Sequence, residues 1–380
     1  MSRSCDVAVI GGGVIGGSIA YQLAKQGKRV VLLEKGRLAR EASSAAAGML
    51  AAQAEMGTET GPLFELAIQS RAMFPELVKE LREISGIDAG LTQRGMLRIA
   101  VTEEDVNELH TVMAAQHKAG QQAQWLTGEE VRKREPGLSE DILGALYIAH
   151  DGHVLAPELS KAFLKSAAIY GVDIKEYTPV LGILLDQGKV KGVKTNHETL
   201  ECEQVILAAG AWSGEVARQV GFFLPVFPVK GECFSVTTHK PLLQATVFSH
   251  GCYFVPKKGG RLVVGATMKE NTFNRKVSLD GLSTLMERAK QLLPSIVHAE
   301  WEKAWAGIRP QTADGLPYLG EHPQWKGLFL ATGHYRNGIL LSPITGRLIA
   351  DLVIKGETDM KLDAFHYNRL GGGKLHEISH

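Results

Sequence analysis

Three glycines and one acid near the start of this 380-residue chain could do chemistry together: Gly11, Gly13 and Gly16, spaced as G-x-G-x-x-G, and Glu34 beyond them. That chemistry is the binding of a dinucleotide. Gly11 permits a tight turn, Gly13 lets a pyrophosphate approach the backbone, and Gly16 lets a helix pack close to a sheet. Glu34 can accept hydrogen bonds from a ribose hydroxyl. The elements needed to position them are present. Val7–Ile10 is a short apolar run of the kind that makes a buried parallel strand. A helical pattern follows, with Ile15, Ile19, Leu23 and Ala24 on one face and Gly27 at its end, and Val30–Leu33 is a second strand delivering Glu34. The helix N-terminus offers N–H groups and partial positive charge to phosphates. A Gly-rich turn in an ordinary βαβ unit would leave the position of the acid unexplained. The motif leaves open which dinucleotide is bound, FAD or NAD.

Composition narrows the class. The hydrophobic fraction is 44% and the charged fraction 22%, as in ordinary soluble enzymes, and the length suits two domains. A net charge of +1 gives no electrostatic case for nucleic acid or an anionic membrane surface. No apolar run approaches the roughly 18 residues of a membrane span. The chain enters its first strand at once, leaving no room for a signal peptide, so a cytoplasmic protein is expected. Cys5, Cys202, Cys233 and Cys252 form no C-x-x-C pair and are expected as free thiols, with no metal site. His150, Asp151 and His153 could be imagined as metal ligands, but without further ligands at metal spacing they read as a polar turn.

Along the chain, Ala42–Ala52 is rich in small residues. Ser43 and Ser44 there either cap a helix facing a phosphate or belong to a plain small-residue helix. Leu63–Ile84 reads as an amphipathic helix that Pro75 kinks or splits. Gly95–Val101 and Leu143–Ile148 read as strands, Thr102 and Thr127 as helix caps, and Pro157–Tyr170 as a helix. Strands follow at Val172–Lys175, Val180–Leu185 and Val190–Thr195, and in the VILAAG run from Val205, which ends at Gly210 and Trp212. That last run returns the chain to the nucleotide sheet. From Pro225 the pattern becomes long alternating strands, with a hairpin turn at Lys257–Gly260 that puts Tyr253 and Met268 on facing strands. A helix at Leu279–Leu293 stops before Pro294, a strand ends at Gly333, and a final helix begins near Ile339. The expected fold is α/β. A discontinuous nucleotide domain takes in 1–85, 150–220 and 305–370, an antiparallel-sheet substrate domain takes in 86–149 and 221–304, and 371–380 is a loose tail.

Five segments in this order, GGGVIGGSIAYQLAKQGKRVVLLE, SSAAAGM, LAAGAWS, GIRPQTADGLPYLG and GHYRNGILLSPITG, resemble the D-amino-acid oxidase family of FAD-dependent amine oxidases. The resemblance runs essentially end to end. It implies a glutathione-reductase-like FAD-binding Rossmann domain, non-covalent FAD and a homotetramer. By the same resemblance, Gly11, Gly13, Val14, Ile15 and Gly16 line the pyrophosphate and Glu34 takes the ribose. Lys35, Ser43, Ser44, Ala47, Gly48, Met49, Gly210 and Trp212 lie along the cofactor, and Val180 meets its adenine side. The turn of Gly333, His334, Tyr335, Arg336, Asn337, Gly338 and Ile339 meets the flavin ring. On the substrate side, Arg309 matches an arginine that grips a carboxylate, Tyr253 a tyrosine that bonds it, Arg336 a second pocket arginine, and Met268 a cavity wall. Arg309 sits in an apolar G-I-R-P run, ill suited to a surface charge. For Arg336, in a polar turn, a solvated surface role competes, and Tyr253 could be a core aromatic.

The implied activity is oxidation of glycine, sarcosine and small D-amino acids by hydride transfer to flavin N5, yielding glyoxylate, ammonia and H2O2 from glycine. It comes with a link to thiamine thiazole synthesis. Phe248, Ser249, His250 and Gly251 depart from the family pattern at the pocket rim, which opens the alternative of larger N-substituted glycines such as glyphosate. A sarcosine-oxidase-like enzyme with covalent flavin is a further alternative, but Gln311–Gly320 has no cysteine and Ser43–Met49 no histidine. An NAD-dependent dehydrogenase leaves GHYRNG without a role.

Overall fold

The computed structural model describes residues 3–55, 57, 60–249 and 251–370. The expected loose tail, 371–380, and the rim residue His250 lie outside the described residues. An eight-stranded sheet carries the opening motif. Its path runs Tyr318–Glu321, Leu328–Thr332, Thr199–Leu207, Arg3–Ile10, Val30–Leu33 and Asp173–Lys175. The pairs around Arg3–Ile10 are parallel, as crossover connections through helices require. Val180–Asp186 and Lys189–Thr195 join as an antiparallel meander.

The first helix, Val14–Lys25, packs against Pro62–Ser85, Ala156–Ile169 and Gly338–Lys355 in one apolar core. The glycine and serine faces let the backbones meet closely. A Cβ on Gly346 would stand 2.2 Å from the Ser18 hydroxyl, and that hydroxyl donates to the Ser342 carbonyl at 2.8 Å. Pro75 does not split its helix, which continues through it to Ser85.

The second sheet has nine strands, ordered Lys269–Glu270, Val226–Thr237, Arg261–Gly265, Cys252–Pro256, Thr246–Ser249, Met96–Ala100, Gly144–Ile148 and Gln124–Thr127, with Glu300–Thr312 paired to Val226–Thr237. It is antiparallel except where Thr246–Ser249 meets Met96–Ala100, because the chain reaches that position from two distant segments. Thr102 and Thr127 each close a capping box.

Glu300–Thr312 pairs with Val226–Thr237 along its whole length. The sequence-based division at 305 therefore falls inside a strand. The short helix Glu41–Ala45 bridges to this strand: the Trp305 indole donates to the Ala45 carbonyl at 2.9 Å. Tyr253 stands opposite Gly265, not Met268. Met268 follows the end of that strand, because the strand stops at Gly265.

Candidate active site

Each glycine of the opening turn has a separate steric reason. Gly11 has φ +116°, and a Cβ on it would meet the Ala208 carbonyl oxygen at 2.4 Å. A Cβ on Gly16 would lie 1.9 Å from the Gly11 oxygen, so only glycine lets the first helix start this close to the strand. That helix has no acid in its first turn, and no acceptor for the Ile15 N–H is found among the described residues. The Val14 N–H is met from outside by the Ser43 hydroxyl at 2.9 Å. A positive helix end with spare donors fits a pyrophosphate.

Glu34 holds this turn. Its two oxygens accept the Gly12 and Gly36 N–H groups, each at 2.8 Å. Each oxygen keeps a second lone pair for a ribose hydroxyl. Beside it the Lys35 ammonium lies 3.7 Å from the centre of the Trp212 ring, and burial lowers its pKa.

From here a cleft of about 320 Å³ runs between the two sheets. Gly11, Gly13, Val14, Ile15, Glu34, Lys35, Ser43, Ala47, Gly48, Met49, Val180, Gly210, Trp212, His334, Tyr335, Gly338 and Ile339 line it, and at its far end so do Tyr253, Arg309 and Arg336. The structure thus gathers most of the residues the sequence singled out. Five are not in the lining. Gly16 acts through packing. Ser44 sits inside the helix Glu41–Ala45 and donates to the Glu41 carbonyl, so neither it nor Ser43 caps that helix. Gly333, at φ +80°, turns beside Thr312, where a Cβ would meet the Thr312 methyl at 2.5 Å. Asn337 precedes the last helix without capping it through its side chain. Met268 is 63% exposed, with the Tyr335 hydroxyl 3.0 Å from its sulfur; it lies beyond the end of the strand.

At the far end two glycines make room for two polar side chains. The Arg309 guanidinium lies over Gly231 on the neighbouring strand, where a Cβ would meet Nη2 at 2.2 Å. The Tyr253 phenol lies over Gly265, where a Cβ would meet its oxygen at 2.3 Å. Arg309 donates to the Thr267 carbonyl at 3.3 Å, and no carboxylate pairs with it among the described residues. Tyr253 is buried, which drives its pKa well up; Cys233 adds to this and Arg309 opposes it. It is therefore a neutral O–H donor beside a fixed cation, a pair suited to a carboxylate. Arg336 is different, being held by Glu55.

Sequence reasoning missed Glu55, Gly231 and Gly265. The glycines carry no motif of their own; only the cross-strand register reveals them. Glu55 is placed by a buried network in which Asp151 accepts the Gln53 and Ala54 N–H groups at 3.1 and 2.9 Å and pairs with Arg71. Asp151 is taken up by this network and His153 by the Thr246 hydroxyl, and no metal-holding cluster occurs among the described residues. The four cysteines are buried and free.

Fold and cleft together define a nucleotide-dependent flavoprotein-type enzyme whose cofactor groove ends at Tyr253, Arg309 and Arg336. The chain belongs to the FAD dependent oxidoreductase (DAO) family, whose model matches residues 6–352, and its cofactor is FAD. It is 50% identical to a glycine oxidase of Geobacillus kaustophilus over 97% of this chain and 98% of that one. A crystal structure of glycine oxidase from that organism superposes with a TM-score of 0.94, covering 97% and 99%. A bifunctional protein ThiO/ThiG of Synechocystis is 36% identical over 97% of this chain and 54% of its own length. No described helix is long and apolar enough to cross a membrane.

Proposed function

We propose that the protein oxidises glycine with O2 and water to glyoxylate, ammonia and H2O2, and accepts sarcosine and small D-amino acids. The observation that carries this reading is the pair at the end of the cleft: an arginine with no acid partner among the described residues and a neutral buried phenol. Relatives whose names specify glycine oxidase support the substrate. The fused ThiO/ThiG relative supports a link to thiamine thiazole synthesis.

FAD would be held by the Gly11–Gly16 turn, Glu34 and the Ala47–Met49 loop, and when bound it supplies the two-electron acceptor. The chain's residues do the rest by positioning. Arg309 grips the substrate carboxylate through its planar fork, and Tyr253 donates a second hydrogen bond to it. The two contacts fix the substrate's Cα against the cleft, which converts binding energy into orientation. No acid or base beside Arg309 is needed to hold the amine; it reacts as the neutral base, so turnover rises with pH. The apolar side chains of Ala47 and Cys233, which line the cleft and pack in one cluster with Val255, keep water from the reacting centre.

Non-covalent FAD is part of this reading, as are a cytoplasmic setting, a homotetramer and a two-domain division following the two sheets. One spectrum tests the core of it. The purified protein should be yellow, bleach with anaerobic glycine, and release its colour on acid precipitation. A yellow protein that glycine fails to bleach would overturn the substrate; colour retained in the precipitate would overturn non-covalent binding.

A further inference from the structure

Lys257 follows the strand Cys252–Pro256 at the start of the hairpin turn, and its ammonium is enclosed although its stem is half-buried. It donates to the Ala47 carbonyl at 2.7 Å and the Val154 carbonyl at 2.9 Å. Neither acceptor is charged, and no carboxylate pairs with it among the described residues. An enclosed cation without a counter-ion is costly to keep. The two chains it ties together are already joined: Val154 N–H donates to the Gly48 carbonyl at 2.8 Å, and Met49 pairs with His153. A second tie through a buried charge is more than that junction needs for its fold.

The carbonyl of Ala47 and the N–H of Gly48 belong to one peptide group. In a trans peptide they point in opposite directions, so the Gly48 N–H points away from Lys257. No acceptor for it is found among the described residues, while Ala47 and Gly48 both line the cleft. Gly48 stands at φ +84°, and a Cβ there would meet the Val154 oxygen at 2.1 Å, so this peptide's orientation is fixed on both sides. It also lies at the reactive end of the cleft, since Ala47 packs with Cys233 and Tyr253, far from the ribose end marked by Glu34. A cation on a carbonyl polarises the amide and strengthens its N–H as a donor.

We propose that Lys257 is a positioning residue for the cofactor: by holding the Ala47 carbonyl it fixes and polarises the Ala47–Gly48 peptide, presenting the Gly48 N–H as a strengthened donor to the flavin end of bound FAD. The inference rests on the FAD assignment and not on the choice of substrate. A donor and a nearby positive charge both favour the electron-rich, reduced cofactor, so Lys257 bears on reduction potential as well as affinity.

The test uses holoenzyme and apoprotein at pH 6, because burial lowers the ammonium to about 7. In Lys257→Met, FAD should bind the apoprotein about tenfold more weakly, the scale of one lost charge-assisted hydrogen bond. The midpoint potential should fall and the visible flavin bands should shift. Lys257→Gln retains a donor without the charge. It should recover most of the affinity but keep the lowered potential, a split that loss of folding alone would not produce. Wild-type affinity and potential in a folded Lys257→Met variant would overturn the proposal. If Lys257→Met does not fold, a wild-type potential in Lys257→Gln would do the same. None of these readings depends on glycine turnover.

Discussion

Glu55 holds Arg336 with two hydrogen bonds, Nε to Oε2 at 2.9 Å and Nη2 to Oε1 at 3.2 Å. Both residues line the cleft that also contains Arg309. The site therefore has two guanidinium groups, of which one is neutralised by the protein and the other has no carboxylate partner among the described residues. A substrate with one carboxylate matches that arrangement, whereas one with two meets the Glu55 charge.

Removing that charge should change selectivity. Glu55→Gln is expected to raise kcat/KM for iminodiacetate relative to glycine by about tenfold, the scale of one like-charge contact. Initial rates of peroxide formation with both substrates measure the ratio. An unchanged ratio would mean that Arg336 never reaches the substrate.

Arg309 should be the larger loss. Arg309→Ala is expected to lower kcat/KM for glycine by about a thousandfold, with Arg309→Lys recovering only part, because a point charge does not reproduce the bidentate fork. The visible spectrum of each variant, recorded alongside the rates, separates loss of substrate grip from loss of FAD.

Gly231→Ala tests the placement of Arg309 without touching its charge. The new methyl would collide with the guanidinium, 2.2 Å away in the present geometry. A displacement of about 1 Å is expected to cost on the order of a hundredfold in kcat/KM. Circular dichroism and FAD content should stay at wild-type values. Full activity in this variant would show that Arg309 can act from another position.

Three buried histidines bear on stability in acid, and burial lowers His153 and His334 further than His322, which falls to about 4. His153 touches the Thr246 hydroxyl at 3.1 Å and His334 the Thr345 hydroxyl at 3.0 Å. Burial lowers both to about 3, with Lys257 and Arg94 adding to the effect at His153. Each is neutral in the folded protein, while the unfolded chain takes up a proton below about 6.5. Stability from these groups is thus complete above pH 6.5 and is lost as pH falls toward 3, by about 1.4 kcal/mol per pH unit for each. Thermal midpoints measured from pH 7.5 to 4.5 should decline, and His334→Gln should flatten the decline.

The nucleotide half of the site was readable in the sequence because its chemistry is local. Gly11 to Glu34 is one continuous stretch whose spacing carries the geometry, and the strand–helix–strand register follows from its periodicity. The other half is assembled by cross-strand pairing. Arg309 fits its place only because Gly231 lies beside it, and Tyr253 only because it faces Gly265. Met268 shows the same limit in reverse: the hairpin pattern put it on the strand facing Tyr253, but that strand ends at Gly265 and the side chain is exposed. Glu55 was invisible for a further reason. Its position depends on a buried network linking Gln53, Arg71 and Asp151, three residues with no shared spacing.

The strand Glu300–Thr312 carries Arg309 and is laddered to Val226–Thr237 from one end to the other. Its last residue then reaches the segment leading into the nucleotide sheet, through the Thr312 hydroxyl and the Leu316 carbonyl at 2.8 Å. A motion of one sheet against the other would carry that ladder as one piece and bend the chain between Thr312 and Tyr318 instead. Arg309 thus keeps its aim relative to Gly231 in any such motion, carried by the backbone as by a rigid rail. Amide hydrogens along Val226–Thr237 should accordingly exchange slowly whether or not glycine is bound.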